Sequence, residues 1–216
     1  MVPRLRKAFN EAWTEAKHRD LVRGLELRTG ATFAFPISET PCFLPRSLVT
    51  SLGDIGLELF DQILNDREAM AAANDAVPER FRGPGAEAHP TFLQADFGLV
   101  RGADGSIQPK LVEMQAFASL YGLQWAIAEA FRDAYAMPPE LDIFLGGLDA
   151  ERYRALIYRA IAGDHDPREV VLMEIDPRNQ KTWPDFVITE QMWGVRAIDT
   201  SEVRREGRRL YYRRPR

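Results

Sequence analysis

Apolar residues recur at helical spacing from Leu5 through Phe9 and Trp13 to Leu21 and Leu25, so the chain opens on an amphipathic helix over about residues 4–27, which Gly30 ends. Residues 31–46 break the period. Pro36, Pro41 and Pro45 alternate there with Phe33, Phe35 and Phe43, the pattern of an ordered, buried loop. Helical spacing resumes at Leu48, Leu52, Ile55, Leu59 and Ile63, with Ser47 placed to cap the new helix. Residues 77–90 hold Pro78, Gly83, Pro84, Gly85 and Pro90 and read as a loop. Two strand-like runs follow, Thr91–Val100 and Ile107–Gln115. Ser119 is placed to cap a helix running to about Ala136 and carrying Trp125 and Phe131 toward the core, and a further helix covers about 150–162.

After Gly163-Asp164-His165-Asp166-Pro167 the pattern changes. Glu169–Ile175 suits a buried strand, Thr182–Trp193 a helix, Val195–Ile198 a second strand and Arg208–Tyr212 a third. Strand, helix and strand in about 30 residues open a parallel, Rossmann-like unit. Asp176-Pro177-Arg178-Asn179-Gln180 follows the first strand in place of a glycine-rich dinucleotide loop. The expected fold class is therefore α/β, with a domain boundary near residue 165: residues 1–165 are helical with a β-hairpin, and residues 166–216 begin the Rossmann-like unit.

Composition narrows the partners. The 28 basic and 32 acidic residues give a net charge of −4, against a general attraction to nucleic acid or anionic lipid. The balance is uneven. Residues 204–216 hold seven arginines (Arg204, Arg205, Arg208, Arg209, Arg213, Arg214 and Arg216) and one acid, Glu206, so a +6 tail follows a body of −10. That tail is the one feature favouring a nucleic-acid-binding arm. Leu210-Tyr211-Tyr212 interrupts it in a strand-like way and Glu206-Gly207 reads as a turn, so a hairpin explains it equally well. The single cysteine, Cys42, has no partner for an internal disulfide, and no Cys/His group has zinc-site spacing. With no apolar signal core behind the N-terminus and no apolar stretch near the ~20 residues of a membrane span, the chain reads as soluble and cytoplasmic.

The chemistry concentrates in Asp96-Phe-Gly-Leu-Val-Arg-Gly-Ala-Asp-Gly-Ser-Ile-Gln-Pro-Lys-Leu-Val-Glu-Met-Gln115. Asp104-Gly105 between apolar runs signals a tight hairpin turn with positive φ at both central residues. That turn sets Asp96 opposite Glu113, with β-carbons about 5 Å apart, and puts Gln115 on the same face as Glu113. Facing carboxylates repel each other, and a cation between them relieves this; three converging oxygen donors suit Mg²⁺. Pro109 lacks a ladder N–H, so a bulge that shifts the register by one is the alternative. A surface hairpin with solvated acids remains the plain reading of the spacing alone.

Asp, a hairpin, then Lys-Leu-Val-Glu-Met-Gln resembles the late metal motif of ATP-grasp enzymes, where an Asp and a Glu-x-Asn pair hold the magnesium ions of ATP. Asp96 and Glu113 match in type, and Gln115 stands where the family usually has Asn. Pro-Lys-Leu-Val-Glu-Met-Gln-Ala-Phe-Ala-Ser-Leu-Tyr-Gly-Leu-Gln is similar to a circularly permuted ATP-grasp group near glutathionylspermidine synthase, in which the metal motif comes early and a pre-ATP-grasp unit follows. Glu-Val-Val-Leu-Met-Glu-Ile-Asp-Pro and Phe-Val-Ile-Thr-Glu-Gln-Met-Trp-Gly-Val resemble that unit. The resemblance runs loosely over residues 33–212 and is specific over 91–125. It implies an ATP-dependent carboxylate–amine ligase, with an acyl-phosphate intermediate, with Mg²⁺ and ATP as cofactors and with Asp96, Glu113 and Gln115 as metal ligands. It also implies a fragment, inactive alone, whose ATP-holding lysines are expected beyond Arg216. The competing readings are a non-catalytic binding or scaffold module and the basic-tailed nucleic-acid binder.

Other polar residues have plainer expectations. Cys42, in an apolar loop, reads as a buried, inert thiol, and His18, among helix charges, as solvated. His89 is a loop residue before Pro90, and His165 an ion-pairing or capping residue. The amides after Ser119 could face an anion. Arg46, Lys110 and Arg178 are conceivable phosphate contacts, but simple alternation puts Lys110 on the face opposite Glu113.

Overall fold

The computed structural model of the chain describes residues 2–82, 89–116 and 119–213. Gly83, Pro84 and Gly85 of the expected loop, Phe117 and Ala118 of the resembling stretch, and Arg214 and Arg216 of the tail lie outside them. In chain order the elements are α1 (Pro3–Ala12), α2 (Glu15–Thr29), α3 (Arg46–Asn65), α4 (Arg67–Ala76), β1 (Gln94–Arg101), β2 (Ile107–Gln115), α5 (Tyr121–Tyr135), α6 (Ala150–Ala162), β3 (Val171–Glu174), α7 (Trp183–Trp193), β4 (Arg196–Asp199), β5 (Arg204–Glu206) and β6 (Arg209–Tyr211). The architecture is mixed α/β with three two-stranded sheets among the described residues. None of the helices formed by those residues is long and apolar enough to cross a membrane.

The expected opening helix is two helices. Trp13 is extended, and the Thr14 hydroxyl accepts from the Lys17 N–H (3.2 Å), so a helix start sits in the gap between Trp13 and Leu21, where Lys17 takes one place of the apolar period. Gly30 ends α2 in the left-handed region at φ 63°, as the sequence predicts. The long apolar helix α3 starts at Arg46 with Pro45 before it, and Ser47 makes no cap. The Asp66 carboxylate then caps α4 through the N–H groups of Glu68 and Ala69, both at 3.0 Å.

The contacts group the chain into two compact units, residues 44–119 and residues 2–43 with 120–216, a division that differs from a boundary near residue 165. The first holds α3, α4, β1 and β2. Its hairpin presents Ala95 to α3, where Gly56 comes so close that an added Cβ would lie 3.4 Å from the Ala95 Cβ. Ala95 pairs with Met114, so these two share the sheet face turned to α3, and Asp96 belongs to the opposite face.

The second unit is built around Phe9, Leu21, Leu25, Ile37, Phe43, Ala126, Phe131 and Ile188. Phe131 is core as expected, whereas Trp125 is only half-buried. Phe43 enters the cluster beside Phe9, with ring centroids 6.0 Å apart. Its neighbour Cys42 is exposed, which corrects the expectation of a buried thiol: of the two adjacent side chains, Phe43 takes the place in the core. His18 is half-buried rather than solvated, and its Nδ1 is enclosed with no hydrogen-bond partner among the described residues.

Val171–Glu174 and Arg196–Asp199 pair in parallel through the α7 crossover, the strand–helix–strand order read from the sequence. The third expected strand does not join them. β6 pairs with β5 in a separate antiparallel hairpin, turned at Gly207 with φ 61°. Both strands of that hairpin are wholly exposed.

α5 and α7 meet closely at Gly122, where an added Cβ would lie 2.8 Å from Ile188 Cγ2 and 3.4 Å from Trp193 Cζ3. Ile188 is fully buried and β-branched, so it cannot swing aside without leaving its rotamer. Gly122→Ala is therefore expected to destabilise this unit by about 1–3 kcal/mol through overpacking, read as a lower urea midpoint with an unchanged m-value.

Candidate functional site

The turn that organises the site differs from a two-residue primed turn. Residues 102–106 form a five-residue loop: the Gly102 N–H donates to the Ser106 carbonyl (2.8 Å) and the Gly105 N–H to the Gly102 carbonyl (2.9 Å). Gly105 alone of the Asp104-Gly105 pair has positive φ, at 79°. The Asp104 carboxylate is bonded within the loop. The Ser106 hydroxyl and N–H donate to it and hold its carboxyl below the usual value.

From this loop the strands pair Arg101 with Ile107, Val100 with Gln108, Leu99 with Pro109, Gly98 with Lys110 and Phe97 with Leu111. Continued unchanged, that register would set Asp96 opposite Val112 and send Glu113 to the other face. A β-bulge intervenes between these pairs: Val112 is the extra residue, and beyond it Asp96 pairs with Glu113, Ala95 with Met114 and Gln94 with Gln115. The expected Asp96–Glu113 pairing is thus present, produced by a different turn and a compensating bulge.

The bulge also moves Lys110. Paired with Gly98, two residues along from Asp96, Lys110 lies on the same face as Asp96 and Glu113, which corrects its placement on the opposite face. Alternation counted back from Glu113 fails because Val112 adds one residue to β2 alone.

Asp96, Glu113 and Gln115 converge. The Gln115 amide Nε2 donates to Asp96 Oδ2 (3.2 Å) and to Glu113 Oε1 (2.9 Å), so it bridges the two carboxylates. Gln94, which the sequence reading did not single out, donates from Nε2 to Asp96 Oδ1 (2.9 Å). Its signal was available, because Gln94 stands two residues before Asp96 on the same strand face. Both oxygens of Asp96 are held by amide donors, and Gln94, Asp96 and Gln115 are half-buried while Glu113 is exposed. A single N–H₂ group therefore serves two like charges and relieves part of the repulsion between facing acids.

The donor set suits a hard divalent cation. Asp96 and Glu113 supply carboxylate oxygens, and turning the Gln115 amide over exchanges its nitrogen for Oε1 at the point between them. Only two carboxylates take part, and among the described residues no three His, Cys, Asp or Glu side chains gather as a metal-holding group. The site is an open sheet face. Grooves of about 530 and 630 Å³ occur in the other unit, lined by α2 with α5 and by α5, α6 and α7, and none of the four site residues lines them.

The remaining candidates have other occupations. His89 Nδ1 lies 3.2 Å from the Pro90 carbonyl, His165 is exposed, and the Arg178 guanidinium lies over the Trp183 ring at 5.7 Å. The amides at the start of α5 do face an anion, one supplied by the protein. Asp185 of α7 accepts from the N–H of Leu120 (3.2 Å) and of Leu123 (2.8 Å). Ser119 leaves the capping role to a residue 65 positions away in sequence from Leu120. No protein-family model, curated protein sequence or solved structure matches the chain, so the functional reading rests on this geometry and on the motif.

Proposed function

We propose that the β1–β2 face is the divalent-cation site of an ATP-dependent carboxylate–amine ligase of permuted ATP-grasp type. The observation that carries the reading is the bulge at Val112, which spends one residue of β2 to bring Glu113 and Gln115 onto the face of Asp96. Bulges recur beside functional sites because they re-aim a side chain, and nothing in the packing of Ala95 and Met114 against the other face calls for two facing acids. A bound Mg²⁺ would neutralise charge on a transferring phosphoryl group, the chemistry that activates a carboxylate as an acyl phosphate for attack by an amine. Asp96 and Glu113 would hold the ion, Gln115 would turn its carbonyl oxygen toward it, and Gln94 would fix the Asp96 carboxylate in place. ATP and the two substrates belong to the same proposal, as does the assignment of this chain to the metal-holding part of the ligase.

The test is a Mn²⁺ titration of the whole chain followed by electron paramagnetic resonance, with circular dichroism to show that each variant is folded. Asp96→Asn and Glu113→Gln are each expected to weaken Mn²⁺ binding by at least about a hundredfold, more than loss of an outer-shell partner alone usually costs. Wild-type chain that takes up no Mn²⁺, or variants that bind it as wild type does, would sink the cation site. A non-catalytic binding module would then be the better reading.

A further inference from the structure

The geometry points to Lys110 as the phosphate-contacting residue of this face, its ammonium binding a phosphoryl or polyphosphate group beside the cation held by Asp96 and Glu113. This inference rests on the cation-site reading above and names the side chain that would meet the phosphate ligand there. The bulge at Val112 is its first support, because it places Lys110 on the carboxylate face through the Gly98 pairing. Across an antiparallel pair the diagonal neighbour lies about 7–8 Å away, so the four-carbon stem of Lys110 spans the distance to the surroundings of Asp96.

The second support is space. The residue paired with Lys110 is a glycine, and a Cβ built on Gly98 would meet only Val112 Cγ2 at 3.7 Å and the Lys110 carbonyl at 3.8 Å, both ordinary contacts. No side chain rises from β1 at that point; the exposed Val112 side chain borders it, and no other side chain comes within 4 Å of the position facing Lys110. Lys110 is exposed, and none of the ion pairs among the described residues involves it.

The third support is the division of donors. A lysine placed only to neutralise paired acids would close on Asp96. Here the amides of Gln94 and Gln115 donate to both Asp96 oxygens, and among the described residues Lys110 forms no ion pair with either acid, so its ammonium is not engaged within the cluster. One lysine beside two carboxylates is a poor site for a bare polyanion. With a divalent cation between the carboxylates the balance reverses, and the ligand that bridges cation and ammonium is a phosphate, since Mg²⁺ commonly shares its shell with substrate phosphates and lysine meets them as a point charge.

Isothermal titration of the whole chain with sodium tripolyphosphate in the presence of Mg²⁺, set beside Mn²⁺ binding without phosphate, tests this. Lys110→Gln is expected to weaken tripolyphosphate binding about tenfold and to leave Mn²⁺ binding unchanged or tighter, because a cation beside the ion site has been removed. Lys110→Arg, which keeps the charge, is expected to retain most of the affinity. Tripolyphosphate binding unchanged in Lys110→Gln would overturn the assignment while leaving the cation site standing. Equal losses of Mn²⁺ and tripolyphosphate would mean that Lys110 only supports the hairpin, and would overturn it too. Wild-type chain that binds no Mn²⁺ would remove the cation site, and this inference with it.

Discussion

Replacing Asp185 with alanine is expected to lower the stability of the helical unit by about 3 kcal/mol, the largest single-residue effect foreseen outside the hairpin. Asp185 is 5% exposed and its carboxylate accepts from the N–H groups of Leu120 and Leu123, with that of Gly122 also directed at it. These are the donors that the first turn of α5 cannot satisfy within the helix. Alanine would orphan them inside the α5–α7 contact, where water is largely excluded. Leu120 is held at φ 68°, a left-handed conformation unfavourable for leucine, and its bond to Asp185 helps to keep it there. The measurement is urea unfolding of wild type and variant. A loss below about 1 kcal/mol would mean that the amides find other partners and that Asp185 is not the cap.

The same residue gives a pH signature that separates charge from capping. Burial pushes the Asp185 carboxyl above its ordinary value of 3.8, although the amides of Leu123, Leu120 and Gly122 pull it back. A carboxyl raised on folding binds its proton more tightly in the folded state. Its contribution to stability is therefore full below the unfolded value of 3.8 and is lost as pH rises through the raised folded value. Asp185→Asn carries no such titration. The stability of wild type minus that of Asp185→Asn should thus fall as pH rises from about 4 toward neutrality, and a rising difference would reverse the assignment. Taking the difference matters, because Asp104 and Asp199 titrate with the opposite sign. Their carboxyls are held below the usual value by hydrogen bonds from Ser106 and Ser201 respectively.

Local signals in the sequence reached the elements well where one residue type decides the outcome. Gly30 and Gly207 take the left-handed positions that end α2 and turn the last hairpin, and the bounds of β2 and α6 follow directly from their apolar spacing. What stayed hidden depends on partners distant in sequence or on counts that periodicity cannot register. Trp13 keeps the helical period across the break between α1 and α2, because a hydrophobic residue at the right spacing serves the core equally well on two helices. Asp185 reads as one acid in the first turn of α7, and its role appears only when α5 is laid against it. At the candidate site Asp96, Glu113 and Gln115 were legible. Gln94 was legible from strand alternation alone, two residues before Asp96, although nothing in its residue type marks it, whereas Lys110 was not, since its face depends on the true register of β2, and that register was right at Asp96 through two departures that cancel.

That cancellation makes a paired deletion and insertion at Val112 the sharpest test of the site. The five-residue loop fixes the register near the turn, with Phe97 opposite Leu111, and only the extra residue restores Asp96 to Glu113. Removing Val112 should let the loop register run on without a bulge. The residue opposite Asp96 would still be Glu113 by identity, the ladder having closed by one. The pleat would become regular, the local twist that the bulge adds would be lost, and Lys110 would stay two places from the acid. Adding a residue instead breaks the arrangement. An alanine inserted between Val112 and Glu113 shifts Glu113 and Gln115 to the α3 side of the sheet or forces a wider bulge, because a one-residue slip exchanges the faces. The cost of bringing two polar side chains to a face that packs against α3 is several kcal/mol at most, and the hairpin loop is untouched. The insertion is thus expected to abolish Mn²⁺ binding, and the deletion to retain it with a change of no more than about tenfold. Equal behaviour of the two variants would show that the facing of Asp96 and Glu113 has no part in holding a cation. Loss in the deletion alone would show that the distorted backbone at Val112, and not the shared face, is what the site requires.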